Sequence, residues 1–275
     1  MNDQQLMHEV VKLALVAGEA ILPYWRADVA VTAKADDSPV TAADLAAHRV
    51  IADGLQALAP EIPVLSEEDC EISLAERQSW SRWWLVDPLD GTKEFIAGSE
   101  EFTVNIALID NGEVVFGVVA MPTNGRCYFG GRELGAWRVD RGAHAERIRV
   151  RNTPPADGQF TVVASRRHSS PQQEALLAGL SGALGELALA NIGSSLKFCL
   201  LAEGAADCYP RLAPTSQWDT AAAQGVLEGA GGEVIGLDAQ PFRYPPRESL
   251  LNPFFLALPS AAQWRQALIQ LASAM

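Results

Sequence analysis

"WWLVDPLDGTKEF" (residues 83–95) decides how the rest of the chain is read. Its four apolar residues, Trp83 to Val86, have the composition of a buried strand, and Pro88, which lacks an amide hydrogen, is expected to stop the ladder. Asp87 and Asp90 then sit at the strand's mouth. Two carboxylates this close repel each other unless a cation or a shared proton offsets the charge, so a metal is the first expectation and a plain turn its competitor. Gly91 permits a tight turn. Thr92 then opens a helix, where free amides and the dipole favour an anion such as phosphate. In that geometry the Leu89 carbonyl faces the same pocket. Backbone and side-chain oxygens together would build a multi-metal site that polarises phosphoryl oxygens and activates water.

Composition sets the frame. The chain has 275 residues, 48% of them hydrophobic, enough for a large core in one big domain or two moderate ones. Its 21 basic and 34 acidic residues give a net charge of -13, which argues against a general nucleic-acid or anionic-membrane surface. An acidic protein that handles phosphates needs metal ions to reverse the local field. Cys70, Cys127, Cys199 and Cys208 form no C-x-x-C pair and fit reduced, packing thiols in a cytosolic protein. No run approaches the roughly 18 uninterrupted apolar residues of a spanning helix. The expectation is a soluble cytoplasmic protein, with loose peripheral attachment to the inner membrane left open.

Along the chain the signals are mixed. Residues 1–25 carry the periodicity of an amphipathic helix interrupted by Glu9, Lys12 and Glu19. "VAVTAKADDSPVT" (29–41) reads as a short strand and an acidic loop, "AADLAAHRVIADGLQAL" (42–58) as a second helix ending before Pro60, and "IPVLSEED" (62–69) as a short strand ending in acids. After the opening motif, β-forming residues alternate with Asn111-Gly112 and Asn124-Gly125, two hairpin signals, and predict an antiparallel meander. "RNTPPADGQ" (151–159) is the best linker. Beyond it, strands such as "FTVVAS" alternate with helical stretches such as "PQQEALLAGLSGAL" and "DTAAAQGVLEGAG", the rhythm of an α/β unit.

Each remaining acid has an ordinary explanation when taken alone. Asp44 closes a capping box begun by Thr41; Glu67, Glu68 and Asp69 fit a solvated strand end; Asp219 fits a helix N-cap. Jointly they fit something else, because acids at strand ends and helix starts can converge on one point in an α/β architecture, and hard oxygen ligands suit Mg2+.

The strings "SEED" (66–69), "DPLDGT" (87–92) and "WDTAAA" (218–223), in this order and spacing, resemble the inositol monophosphatase superfamily of Mg2+-dependent, lithium-sensitive phosphatases, over nearly the whole chain. Within it, "DPLDGTKEFI", "EFTVNIALI", "GSSLKFCLLAEGAAD" and "YPR" look most like bacterial 3'(2'),5'-bisphosphate nucleotidases, which convert 3'-phosphoadenosine 5'-phosphate to AMP and phosphate. The resemblance implies an α+β N-terminal half (1–152) and an α/β C-terminal half (153–275), layered αβαβα as a sugar-phosphatase fold, with the site between them. It implies that Glu67, Asp87 and the Leu89 carbonyl ligate a first metal, that Asp87, Asp90 and Asp219 ligate a second, and that Glu67 reaches a third through water. Asp44 and Thr92 match a pair in which the carboxylate orients the hydroxyl and the hydroxyl helps deprotonate the attacking water. The amides of Gly91 and Thr92 would hold phosphate oxygens.

In that scheme a metal-activated water attacks phosphorus in line, without a phospho-enzyme and without histidine or cysteine. Mn2+ is expected to substitute for Mg2+, and Li+ to inhibit. Gly193, Ser194, Ser195 and Lys197 resemble the substrate-side segment of the nucleotidases, where a lysine meets a second phosphate; the plain alternative is a helix start with serine as cap and lysine exposed. Arg211 and the run "SRRHSS" (165–170) are similar candidates. The expected partner is a small phosphorylated nucleotide, possible also in its 5'-phosphosulfate form, bound by a monomer or homodimer. Rival readings are an inositol or sugar monophosphatase, a haloacid-dehalogenase-type phosphatase, whose D-x-D spacing is absent here, and a non-catalytic nucleotide sensor.

Overall fold

The computed structural model describes residues 1–27, 31–33, 39–154, 159–164 and 171–274. Helix α1 (Asp3–Ile21) opens the chain behind an Asn2 capping box, and a 3-10 turn, Leu22–Tyr24, follows it. Short strands β1 (Val31–Ala33) and β2 (Pro39–Thr41) pair antiparallel and lead into α2 (Ala42–Leu58). Strand β3 (Val64–Ser66) and helix α3 (Leu74–Gln78) precede β4 (Arg82–Asp90), α4 (Thr92–Ile96), β5 (Thr103–Asp110), β6 (Glu113–Met121), β7 (Arg126–Gly131), β8 (Gly135–Val139) and β9 (Glu146–Arg147). These seven strands form one sheet in chain order, antiparallel except where β3 runs parallel to β4.

The meander is built on the two predicted hairpins. Asn111 and Gly112, both at positive φ, form a two-residue turn between β5 and β6. Asn124-Gly125 closes a four-residue connection between β6 and β7.

One expectation about the opening motif is corrected: β4 does not stop before Pro88 but continues to Asp90. Against β5, Asp87 pairs with Asn105 and Asp90 with Thr103, with a register shift between them. Pro88 therefore falls in a bulge, one of the few places where a strand tolerates a missing donor. On the other edge, pairing with β3 has already ended at Val86.

The second half supplies β10 (Phe160–Ala164), α5 (Pro171–Leu184), β11 (Leu187–Asn191), α6 (Leu196–Ala202), β12 (Tyr209–Arg211), α7 (Ala221–Gly229), β13 (Gly232–Gly236), β14 (Phe255–Pro259) and α8 (Arg265–Ser273). Strands β12, β14 and β13 form an antiparallel sheet, while β10 and β11 pair in parallel and touch β12 through a bridge from Val162 to Cys208. The run 165–170 and part of the 151–159 linker lie outside the described residues.

Side-chain alternation along β4 shows how the layers form. Trp84 and Val86 point into a core shared with α1 and α2, while Trp83 and Leu85 point into a second core containing α6, α7 and residues of β12 to β14. A third core, with Phe160, Leu180, Leu256 and Leu268, joins α5 and α8 to the smaller sheets. The order is helix, sheet, helix, sheet, helix, the layered sugar-phosphatase fold. None of the four cysteines is in a disulfide, and three of them are buried. Among the described residues no helix is long and apolar enough to cross a membrane.

Candidate active site

The acids converge where the two large cores meet. The amide of Glu67 donates to the Val86 carbonyl at 3.0 Å, which extends the β3–β4 pairing by one residue and sets Glu67 beside Asp87. Asp219 arrives just ahead of α7. One carboxylate oxygen from each of Glu67, Asp87 and Asp219 lies within 4.8 Å of the others. Burial pushes the Asp87 carboxyl well above its ordinary range, and the charges of Glu67, Asp90, Asp219 and Asp44 push it further. Asp219 is raised in the same way, by burial and then by Asp90 and Glu67. Such a set is unfavourable as bare anions, and its hard oxygens fit a divalent cation of the Mg2+ type. The N-cap explanation of Asp219 does not hold, since Thr220 occupies that position and Asp219 Oδ2 accepts the Ser216 amide at 2.8 Å.

Asp44 divides its two oxygens between structure and site. Oδ2 accepts the Thr41 amide at 2.8 Å and the Thr41 hydroxyl at 2.6 Å, completing the capping box of α2. Oδ1 lies 3.3 Å from Thr92 Oγ1, which is also 3.2 Å from the Leu89 carbonyl. Gly91, at φ 95°, is the N-cap of α4 and turns the chain so that Thr92 faces back toward Asp44. The cap and the site pair thus coexist in one side chain.

Asp90 sits next to the trio, its position set by the other half of the chain. Its Oδ2 accepts the Ser195 amide at 2.6 Å and lies 2.8 Å from the Ser195 hydroxyl. Asn105 Nδ2 is 3.2 Å from the same oxygen and 2.8 Å from Ser195 Oγ. Ser195 is therefore buried behind Asp90 instead of facing a substrate, and its hydroxyl caps no helix.

A cavity of about 300 Å³ opens from Asp90 and Asp219 toward Gly193, Ser194, Lys197 and Arg211, with Lys93, Glu94 and Tyr209 on its walls. Lys197 is buried, not exposed as a plain helix start would have it. Its ammonium donates to the Ser194 carbonyl at 2.9 Å and lies 5.9 Å from the Tyr209 ring. Burial lowers its pKa. The Arg211 guanidinium is braced by the carbonyls of Ala213 and Pro214 at 3.0 and 2.8 Å. The Gly193 amide is already taken by Glu101 Oε2 at 2.8 Å. Ser194 is held at φ 49° with its Oγ buried and unpartnered.

Residues 2–273 match the model of the inositol monophosphatase family. The chain belongs to that family. Within it, the chain is 49% identical to the 3'(2'),5'-bisphosphate nucleotidase CysQ of Shigella flexneri over 252 residues, 91% of this chain and 98% of the relative. It is 48% identical to its counterpart in Escherichia coli K12, with the same coverage. The crystal structure of CysQ from Bacteroides thetaiotaomicron, a bacterial member of the inositol monophosphatase family, superposes with a TM-score of 0.80 at 39% identity, covering 94% of this chain and 98% of that one. The inositol monophosphatase of Anabaena superposes at 0.75 with 25% identity over 100% of this chain and 98% of that one. Family membership removes the haloacid-dehalogenase reading.

Sequence reasoning does not single out two residues that the structure places at the site. Asn105 stands inside "TVNIALI" as an amide among the apolar residues of a buried strand, a signal that could have found it. Thr220, buried at the cavity and bonded to Tyr244 at 2.9 Å, was hidden by an ordinary helix-start sequence.

Proposed function

We propose that this chain is a 3'(2'),5'-bisphosphate nucleotidase that hydrolyses 3'-phosphoadenosine 5'-phosphate to AMP and phosphate, with Mg2+ as cofactor, Mn2+ as substitute and Li+ as inhibitor. The observation that carries this reading is the make-up of the cavity lining. It holds both acids that suit divalent cations, Asp90 and Asp219, and the basic side chains Lys197 and Arg211. A substrate with a second phosphate can use both kinds of group; an inositol monophosphate has no second phosphate for the basic ones. The named relatives are bisphosphate nucleotidases, which favours the same substrate.

Glu67, Asp87 and the Leu89 carbonyl would hold one ion, Asp87, Asp90 and Asp219 a second, and Glu67 a more loosely held third through water. When bound, such ions neutralise the phosphoryl oxygens and make water more acidic. The chain's own residues do the proton work. Thr92 Oγ1 passes its proton toward Asp44 Oδ1, 3.3 Å away, and takes one from the attacking water. The water oxygen bonds to phosphorus in line with the ester, the bond from phosphorus to the 3' oxygen breaks, and the departing alcohol is protonated by solvent. The amides of Gly91 and Thr92 orient the phosphoryl group, and Lys197 and Arg211 hold the 5'-phosphate or, in a second substrate, the phosphosulfate. Residues 1–152 thus carry most of the metal ligands, and residues 153–275 contribute Asp219 and the second-phosphate contacts. Cysteines that form no disulfide support a cytoplasmic location.

The test is phosphate release from 3'-phosphoadenosine 5'-phosphate, inositol 1-phosphate and fructose 1,6-bisphosphate, measured side by side across a Mg2+ titration. The bisphosphate nucleotide should be turned over with the highest kcat/KM and only with divalent cation. Preference for inositol 1-phosphate would replace this reading with that of a monophosphatase.

A further inference from the structure

Asn105 sits in the site at a cost to stability, and that cost points to what it and Ser195 do. Asn105 is fully buried on β5, and its Oδ1 has no partner. A buried, unpaired carbonyl is unfavourable, and an apolar residue of similar shape would avoid the penalty. The amide is retained for its other end, since Nδ2 is within reach of both Asp90 Oδ2 and Ser195 Oγ. Ser195 is equally committed. Its amide and hydroxyl both face Asp90 Oδ2, and the hydroxyl is also 2.7 Å from the carbonyl oxygen of Asp219. One serine thus touches an acid of β4 and the main chain of an acid preceding α7, which come from opposite halves of the chain.

We propose that Ser195 and Asn105 are positioning residues for divalent-cation binding: together they occupy Asp90 Oδ2, so that Asp90 presents its other oxygen alone, and they tie Asp90 to the backbone of Asp219. An Asp90 oxygen held by the Ser195 amide and Asn105 Nδ2, with the single Ser195 hydroxyl proton serving either it or the Asp219 carbonyl, cannot swing freely to join its partner in gripping a cation. Hydrogen bonds of this kind, behind a ligating carboxylate, tune metal affinity by about 10- to 100-fold. The inference rests on the metal-dependent reading above.

The experiment is calorimetric titration of Mn2+ into the wild type, Ser195→Ala, Ser195→Thr and Asn105→Leu, with melting temperatures recorded in EDTA. Ser195→Ala keeps the backbone donor and loses the hydroxyl; it should weaken Mn2+ binding about tenfold while melting close to the wild type in EDTA. Ser195→Thr restores the hydroxyl and should recover affinity. Asn105→Leu removes the unpaired Oδ1 together with two donor contacts, so it should bind Mn2+ more weakly, and it stands in should Ser195→Ala fail to fold. Wild-type affinity in both Ser195→Ala and Asn105→Leu overturns the inference. No Mn2+ binding by the folded wild type would overturn the metal-dependent reading and this inference with it.

Discussion

Gly117 on β6 lies directly under Ala222 on α7: a methyl group added to Gly117 would fall 1.8 Å from the Ala222 carbonyl oxygen. At Gly225, one turn further along α7, an added methyl group would fall 2.5 Å from the Gly117 nitrogen. The helix therefore rests on the sheet backbone to backbone. That contact sets the height of Asp219, which precedes α7, relative to Asp87 on β4.

Gly117→Ala should accordingly destabilise the protein by about 3 kcal/mol or more, at the upper end of overpacking effects, because the obstacle is backbone and cannot rotate away. What folds should bind divalent cations weakly, since α7 must lift. Gly182→Ala is the control. Nothing lies near that added carbon on α5, and the helix should gain about 0.5–1 kcal/mol. Thermal unfolding of both variants checks the pair; equal melting temperatures would remove the close-approach argument.

Asp44→Asn separates the cap from the chemistry. An asparagine can still accept the Thr41 amide with its carbonyl, but it turns an NH2 toward Thr92, so the hydroxyl loses its carboxylate acceptor and keeps only the Leu89 carbonyl, which cannot take the proton. The expected result is a fall in kcat of about 10²–10⁴, the usual worth of a general base, with a loss of stability near 1 kcal/mol or less. Thr41→Ala should do the reverse, costing about 1 kcal/mol of stability and leaving kcat within a few-fold. Steady-state kinetics beside chemical denaturation distinguishes the two.

The raised carboxyls of Asp87 and Asp219 make a prediction about pH. Both groups hold protons more tightly folded than unfolded, so the stability tied to their protonation is present below the ordinary carboxylate range and is lost as pH rises through their raised values. In EDTA the melting temperature should therefore fall as pH is raised above the ordinary carboxylate range. Mg2+ should restore it by replacing the protons, with an effect that grows with pH. A Mg2+-induced shift that does not change with pH would contradict the assignment of these two acids as ligands.

Asp90→Asn should lower turnover at least about 100-fold, the cost of impairing a ligand exceeding that of a group behind it. The fold should survive, because the amide can still accept from Ser195 through its carbonyl. Near-normal turnover at saturating Mg2+ would refute the ligand role.

How much of this was legible in the sequence follows from which interactions are local. The capping box of α2, the Asn111-Gly112 turn and the helix after Gly91 depend on residues a few positions apart, so their spacing exposes them. The bulge at Pro88 was misread because the proline's tolerance depends on what β5 and β3 do opposite it. Ser195 was read as facing the substrate because a serine at a helix start carries no mark of its partner, and that partner, Asp90, is 105 residues away. Lys197 was left open between exposed and buried for the same reason. Its burial follows from Tyr209 and the sheet behind it, which no local pattern encodes.

Lys197 then offers the sharpest discrimination between substrates. Because burial already disfavours its charge, Lys197→Met should fold at least as well as the wild type, replacing a costly ammonium with an apolar chain of similar length. A charged hydrogen bond to the second phosphate is worth about 1.5–3 kcal/mol, so kcat/KM for 3'-phosphoadenosine 5'-phosphate should fall about 10- to 150-fold by that same energy, mostly through KM. Inositol 1-phosphate, which has no second phosphate, should be hydrolysed at an unchanged rate. Parallel losses on both substrates would instead place Lys197 in the service of the reacting phosphate, and unchanged kinetics on both would return it to packing alone.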